Sequence, residues 1–109
     1  MVKSYKRFDI WLVQLNPTKG SEIAKTRPCI IISPDIQNRY LNTITVALLT
    51  HTKKSYPTRL DCLFNKEPGQ IVIDQIRAVD KLRLVKKLGK LDIATSKLLC
   101  ELLIESFKY

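Results

Sequence analysis

Histidine, glycine and cysteine are all scarce in this chain, and each scarcity removes a class of chemistry. The 109 residues include a single histidine, His51, so a ribonuclease that pairs two histidines as acid and base within one chain is excluded. The three glycines form no G-x-x-x-x-G-K phosphate loop, which argues against nucleotide hydrolysis. A G-x-S-x-G nucleophile elbow is also missing, and with it a Ser-His-Asp hydrolase. The cysteines, Cys29, Cys62 and Cys100, are odd in number and form no Cys-x-x-Cys pair. Neither a disulfide framework nor a zinc site fits them, and no other His, Cys or carboxylate cluster has metal-ligand spacing. They read as small buried hydrophobes of a cytoplasmic protein. Nowhere do about 18 apolar residues run together, and residues 1–7 lack the apolar core of a signal peptide, so neither a membrane span nor a secretory leader is expected.

Positive charge is abundant. Lys and Arg number 19 against 10 Asp and Glu, a formal net charge of +9. On so short a chain this excess suits a polyanion, and nucleic acid is the commonest one. A membrane surface is a poorer match, because the basic residues are scattered and accompany no long amphipathic apolar face. An apolar share of 45% is that of a folded protein. The length allows one modest core and not two, so residues 1–109 are expected to form a single domain.

Alternation of Phe8, Ile10 and Leu12 with Asp9, Trp11 and Val13 predicts a first strand, ended by the turn signal Asn16-Pro17-Thr18-Lys19-Gly20. A polar loop rich in lysine and hydroxyls covers 14–26. A second strand is predicted over 27–33, closed by Pro34, and Asn38, Arg39 and Asn42 mark another loop. The β-branched segment Thr43–Thr50 predicts a third strand. After a basic loop at 51–56 and Pro57, Leu60 and Cys62 alternate with Arg59 and Asp61, as in a strand buried on one face. Glu67-Pro68-Gly69 reads as a turn into a long strand over 71–79, where the consecutive polar residues Asp74 and Gln75 predict a bulge. Asp80 is placed to cap a short helical turn before a last short strand over 85–91. Asp92 reads as the N-cap of a terminal helix whose Ala94, Leu98, Leu99, Leu102, Leu103 and Phe107 recur at helical spacing. Cys100 and Ile104 widen that stripe beyond what one contact face needs. Many short strands and one C-terminal α-helix make an α+β fold: a small curled antiparallel β-sheet of the SH3-like barrel kind.

Most of the chemistry lies between residues 16 and 34. The loop Asn16-Pro17-Thr18-Lys19-Gly20-Ser21-Glu22 leads to Thr26-Arg27-Pro28 and then to the apolar run Cys29-Ile30-Ile31-Ile32-Ser33-Pro34. Pro28 fixes its own φ and pushes Arg27 toward extended geometry, and the isoleucine run anchors the junction in a sheet. A guanidinium held this way is a fixed cation that offers two charge-assisted hydrogen bonds to a phosphate. Alone, the Arg-Pro pair also fits a surface arginine bonded to a carboxylate such as Glu22. The joint pattern is more specific. It adds Val46-Ala47-Leu48-Leu49-Thr50 and then Asp74-Gln75-Ile76-Arg77 with Asp80, in order along nearly the whole chain, and it resembles the MazF/PemK family of bacterial toxin ribonucleases. Ser21 stands where the PemK branch has a histidine, so the resemblance is closer to the MazF branch.

That resemblance implies a CcdB/PemK-like fold and RNA cleavage carried by Arg27 and Thr50, with no metal or other cofactor. It implies RNA-binding roles for Lys19, Ser21, Glu22, Lys25, His51, Lys53, Asp74 and Gln75. Lys19, Lys25, Lys53 and Lys54 lie in the two loops that flank Arg27 and Thr50, ordinary places for lysines and also suitable ones for following an RNA backbone. His51 is an exposed loop histidine or, being next to Thr50, a proton-transfer or base-stacking group. Asp74 and Gln75 fix a bulge, contact the scissile region, or both. The implied reaction is attack by the ribose 2′-OH, giving a 2′,3′-cyclic phosphate and a 5′-hydroxyl, so DNA is expected to bind weakly and stay uncut. The implied partners are single-stranded RNA (mRNA in particular), an acidic MazE-like antitoxin, and a second copy of the chain in a homodimer. Two alternatives carry no nuclease activity. A CcdB-like gyrase poison needs a C-terminal Trp-Gly-Ile, whereas this chain ends Glu105-Ser106-Phe107-Lys108-Tyr109 with Trp11 as its only tryptophan. A non-catalytic nucleic-acid-binding module of SH3-like fold is disfavoured by Arg27 and Thr50.

Overall fold

Strand pairing sets the architecture. The computed structural model describes residues 4–15, 25–51, 55, 59–64 and 66–108. Its strands are β1 (Asp9–Gln14), β2 (Thr26–Ile31), β3 (Thr43–Thr50), β4 (Arg59–Phe64), β5 (Glu67–Asp80) and β6 (Leu84–Lys90). They form one curled, six-stranded sheet in the order β4-β5-β3-β2-β1-β6, antiparallel throughout. Helix α1 (Asp35–Tyr40) joins β2 to β3, a 3-10 turn (Lys81–Arg83) joins β5 to β6, and helix α2 (Ile93–Phe107) follows β6.

Alternate residues of a strand point to opposite faces, and here both faces of the central strands are covered. Ile10, Ile30, Ala47, Leu49, Cys62, Phe64, Ile71 and Ile73 form one face, packed with Leu91 and with Leu99 of α2. Trp11, Val13, Cys29, Ile31, Ile44, Val46, Val79 and Leu84 form the other, with Tyr5, Leu15 and Leu48 against them. This double burial is why residues 29–32 are a continuous apolar run rather than an alternating one.

Local signals placed most elements. The bulge in β5 is present: Ala47 pairs with Ile76 but Leu48 with Val72, so three residues, 73–75, bow out opposite none. The Asp80 carboxylate accepts from the Leu82 N–H at 2.8 Å and caps the 3-10 turn. Asp92 caps α2 by accepting from the Thr95 N–H and hydroxyl, both at 2.9 Å.

Three expectations change. The stretch read as a loop around Asn38 contains α1, because Pro34 supplies an extended N-cap and the Asn38 side chain turns inward to bond Ser33. Glu67-Pro68-Gly69 lies within β5, and the chain reverses just before it, where Lys66 adopts φ 64°. The buried stripe of α2 is rotated: Ser96 and Leu99 are buried, while Ala94, Leu98 and Phe107 are exposed. Ser96 can enter the interface because its hydroxyl bonds the Asp92 carbonyl at 2.8 Å.

Candidate active site

Register sets three polar side chains in one row across the face opposite α2, and Arg27 stands on the same side beyond them. Asp61 of β4 pairs with Gln70 of β5, and Gln70 with Thr50 of β3. The β2–β3 ladder runs Ile31–Val46, Ile30–Ala47, Cys29–Leu48 and ends there; Arg27 and Thr50 each lie two residues past its last pair, on the same side of the sheet. Adjacent strands lie about 4.8 Å apart, so the row Asp61, Gln70, Thr50 spans roughly 10 Å. On its other side Arg27 pairs with Val13, and Pro28 with Leu12. The next row on this face, Arg59, Val72, Leu48 and Cys29, forms a mostly apolar floor.

Burial and hydrogen bonding differ along the row. Gln70 is buried and donates its carboxamide N–H to the Asp61 carboxylate at 2.9 Å. Thr50 is half-buried, whereas Arg27 and Lys25 are exposed. The bulge carries Asp74 to the Arg59 guanidinium, with 3.2 Å between Nε and Oδ1. Gln75 lines a cavity of about 220 Å³ with Leu15, Cys29, Val46, Leu48, Ile76 and Arg77. Burial pushes the Cys29 thiol up to about 12, so it stays a neutral floor group and not a nucleophile at neutral pH. Cys62 is pushed up to about 11, first by burial and then by the charges of Asp61 and Asp92. Among the described residues no group of three or more His, Cys, Asp or Glu side chains is placed to hold a metal ion.

The structure therefore brings Arg27 and Thr50 to one side of the sheet, with the β5 bulge that carries Asp74 and Gln75, and places His51 on the other. His51 follows Thr50 on the opposite face: its ring lies 6.4 Å from that of Phe64, its Nδ1 is 3.1 Å from the Pro68 carbonyl oxygen, and Nε2 is 3.7 Å from Glu67. Lys19, Ser21, Glu22, Lys53 and Lys54 lie outside the described residues. Three groups of this face, Arg59, Asp61 and Gln70, had not been singled out from sequence as site residues. The alternation of Arg59 and Asp61 with Leu60 and Cys62 marked them as one face of a strand, but nothing local said what that face adjoins.

Residues 6–107 match a family described as PemK-like, MazF-like toxins of type II toxin-antitoxin systems. The chain belongs to this family. A curated relative, Endoribonuclease MazF of Staphylococcus epidermidis, is 37% identical over 89 residues, covering 76% of this chain and 74% of the relative. Among solved structures, a MazE-MazF complex from Deinococcus radiodurans has a TM-score of 0.82 at 18% identity and covers 96% of each chain. An endoribonuclease in complex with its cognate antitoxin from Mycobacterial species has a TM-score of 0.80 at 21% identity, covering 96% of this chain and 98% of that one. At such identities the two structures establish the shared fold. The family match extends from just before β1 to the last residue of α2, and so includes Arg27, Thr50, Asp61 and Gln70.

Proposed function

We propose that this member of the PemK/MazF-like toxins is a metal-independent endoribonuclease that cuts single-stranded RNA, mRNA in particular, at a short recognition sequence. The observation that carries the proposal is that a proline-stiffened, exposed arginine and a half-buried threonine stand on the same side of the sheet, each two residues past the last pair of β2 and β3. The O2′–P bond forms as the P–O5′ bond breaks; the 2′ proton leaves and O5′ takes one up. Negative charge grows on the non-bridging phosphate oxygens meanwhile. Arg27 meets that charge with two N–H donors and Thr50 adds a hydroxyl donor. The cation that a metal would otherwise supply is thereby part of the chain. Asp61 orients the Gln70 carboxamide beside Thr50. Lys25, with Lys19 and Lys53, follows the RNA backbone, while Ser21, Glu22, Asp74 and Gln75 contact the nucleotides around the cut. His51, on the other face, is assigned no part in the chemistry. The products carry 2′,3′-cyclic phosphate and 5′-hydroxyl ends, and DNA, lacking the nucleophile, is left uncut.

The family and the relatives bound to antitoxins support a further part of the proposal: an acidic, MazE-like antitoxin that neutralises a cytoplasmic toxin. A net charge of +9 suits such a partner. The exposed Ile104 and Phe107 of α2 support a homodimer. No helix among the described residues is long and apolar enough to cross a membrane.

The decisive experiment incubates the purified protein with a long single-stranded RNA in EDTA beside Arg27→Ala, and sequences the fragment ends. Discrete cuts by the wild type, reduced roughly 10²–10³-fold in rate by Arg27→Ala, are expected. RNA bound by the wild type but never cut would replace the enzyme with a binding module, and equal cutting by both proteins would remove Arg27 from the chemistry.

A further inference from the structure

The polypeptide between β1 and β2 leaves the sheet at Gln14 and returns at Lys25, and its two ends are tied at a point that the ladders alone do not account for. The Leu15 N–H donates to the Lys25 carbonyl at 3.1 Å, closing the root of the loop. Two carbonyls on the outgoing side, those of Gln14 and Leu15, then accept from two different arginines. Arg83 Nη1 lies 3.3 Å from the Gln14 oxygen, and Arg77 Nη2 lies 3.3 Å from the Leu15 oxygen. The two arginines come from separate elements. Arg77 is on β5 just past the bulge, paired with Val46, and reaches across the face. Arg83 ends the 3-10 turn capped by Asp80, and because the next residue, Leu84, pairs with Val13, the turn delivers Arg83 alongside Gln14. The spacing of Arg77, Asp80 and Arg83 thus has a purpose in this fold: a strand end, a cap and a tight turn aim two guanidiniums at the carbonyls of the last residue of β1 and the residue after it.

Gln14 pairs with Thr26, and Val13 with Arg27. Whatever holds the exit of β1 therefore holds the Arg27 end of β2, where the β2–β3 ladder has already stopped. We infer that Arg77 and Arg83 are positioning residues: together they clamp the exit of β1 and so fix where the Arg27 guanidinium stands relative to Thr50. The inference rests on the proposed role of Arg27. Each bond puts a charged donor on a backbone carbonyl, and at 3.3 Å each is a long bond that orients the strand end rather than adding much to overall stability. Arg77 also lines the cavity beside the site, so its loss mixes positioning with direct contact. Arg83 does not line that cavity and tests the clamp alone.

Three variants, Arg83→Ala, Arg83→Lys and Arg77→Ala, are compared with wild type. Cleavage kinetics use the long RNA, binding uses the same RNA carrying a 2′-deoxy residue at the cut, and amide hydrogen exchange is read at residues 14, 15 and 25–27. Arg83→Ala is expected to lower kcat by about 10²-fold, as a displacement of roughly 1 Å in a catalytic group does, with RNA affinity and thermal midpoint unchanged. Its cuts should spread to neighbouring phosphodiesters. Exchange should quicken at those five residues and not in β3 or α2, and Arg83→Lys, which retains one charged donor, should recover most of kcat. A folded Arg83→Ala with wild-type kcat and wild-type exchange overturns the clamp. Loss of RNA affinity at unchanged kcat overturns it too, making Arg83 a phosphate contact. If even the wild type cuts no RNA, the proposed function fails, and the exchange rates still decide whether the arginines hold the β1 exit.

Discussion

Gly69 shows how closely the site is built at the level of single atoms. A Cβ at this position would lie 2.9 Å from the Thr50 carbonyl oxygen, a separation that real side chains do not tolerate, and 3.6 Å from the His51 ring. The oxygen belongs to backbone, so relief requires moving the end of β3 itself. Gly69→Ala is therefore expected to cost about 1–3 kcal/mol in urea unfolding, the usual range for overpacking. It should also slow RNA cleavage more than it weakens RNA binding, because the displaced residue is Thr50. Unfolding curves and single-turnover cleavage on the same preparation check both; wild-type values for each would mean that β3 yields there without consequence. Arg27 sits differently. Its placement comes from the rigid proline after it and from pairing with β1, not from close packing, and it remains exposed.

Among the elements, α2 depends on its N-terminal cap and on a small buried contact. Bonds from the Thr95 N–H and hydroxyl hold the Asp92 carboxyl below its ordinary value near 3.8. A carboxyl whose folded pKa is depressed stabilises the fold fully above its unfolded value, and that contribution is lost as pH falls through the lower folded value. Asp92→Ala should thus lower the thermal midpoint at neutral pH, and the gap to wild type should close as pH falls through the depressed folded value, where the wild-type cap becomes protonated as well. Circular dichroism melts across that range test this. A gap that stays constant with pH would mean that Asp92 acts through the helix start by shape rather than by charge. The cap, the 3-10 turn after Asp80 and the β5 bulge at Asp74 and Gln75 were all legible in the sequence, because each depends on residues within a few positions of one another. Helix α1 was not: six residues are too few to show a period, and Asn38, a turn former by composition, is buried against Ser33.

For the molecule as a whole, charge and sheet curvature act together. The chain carries an excess of nine positive charges, and its face opposite α2 carries Arg27 and Thr50 at one edge of an apolar floor. If three lysines of the flanking loops neutralise phosphates, the logarithm of the affinity for single-stranded RNA should fall with log salt at a slope of about −2, close to −0.7 for each contact. Fluorescence anisotropy with a 2′-deoxy-blocked RNA between low and moderate salt measures it. A flat response would remove the lysine loops from the interface and leave recognition to the sheet face.

The sequence by itself determined what is local or compositional: the apolar runs that must be strands, the caps and the bulge, the stiff Arg27-Pro28 junction, and a family pattern that extends nearly end to end. Tertiary structure decided adjacency. Asp61 and Gln70, like Arg59 and Asp74, are far enough apart in sequence that only antiparallel register brings them together. That register comes from burying two apolar faces at once, a condition imposed by the whole sheet and not by any segment. His51, one residue past the end of β3, lies on the other side, where its ring faces that of Phe64. The same condition brought Arg77 and Arg83, separated from the β1 exit by more than sixty residues, onto the two carbonyls that hold it.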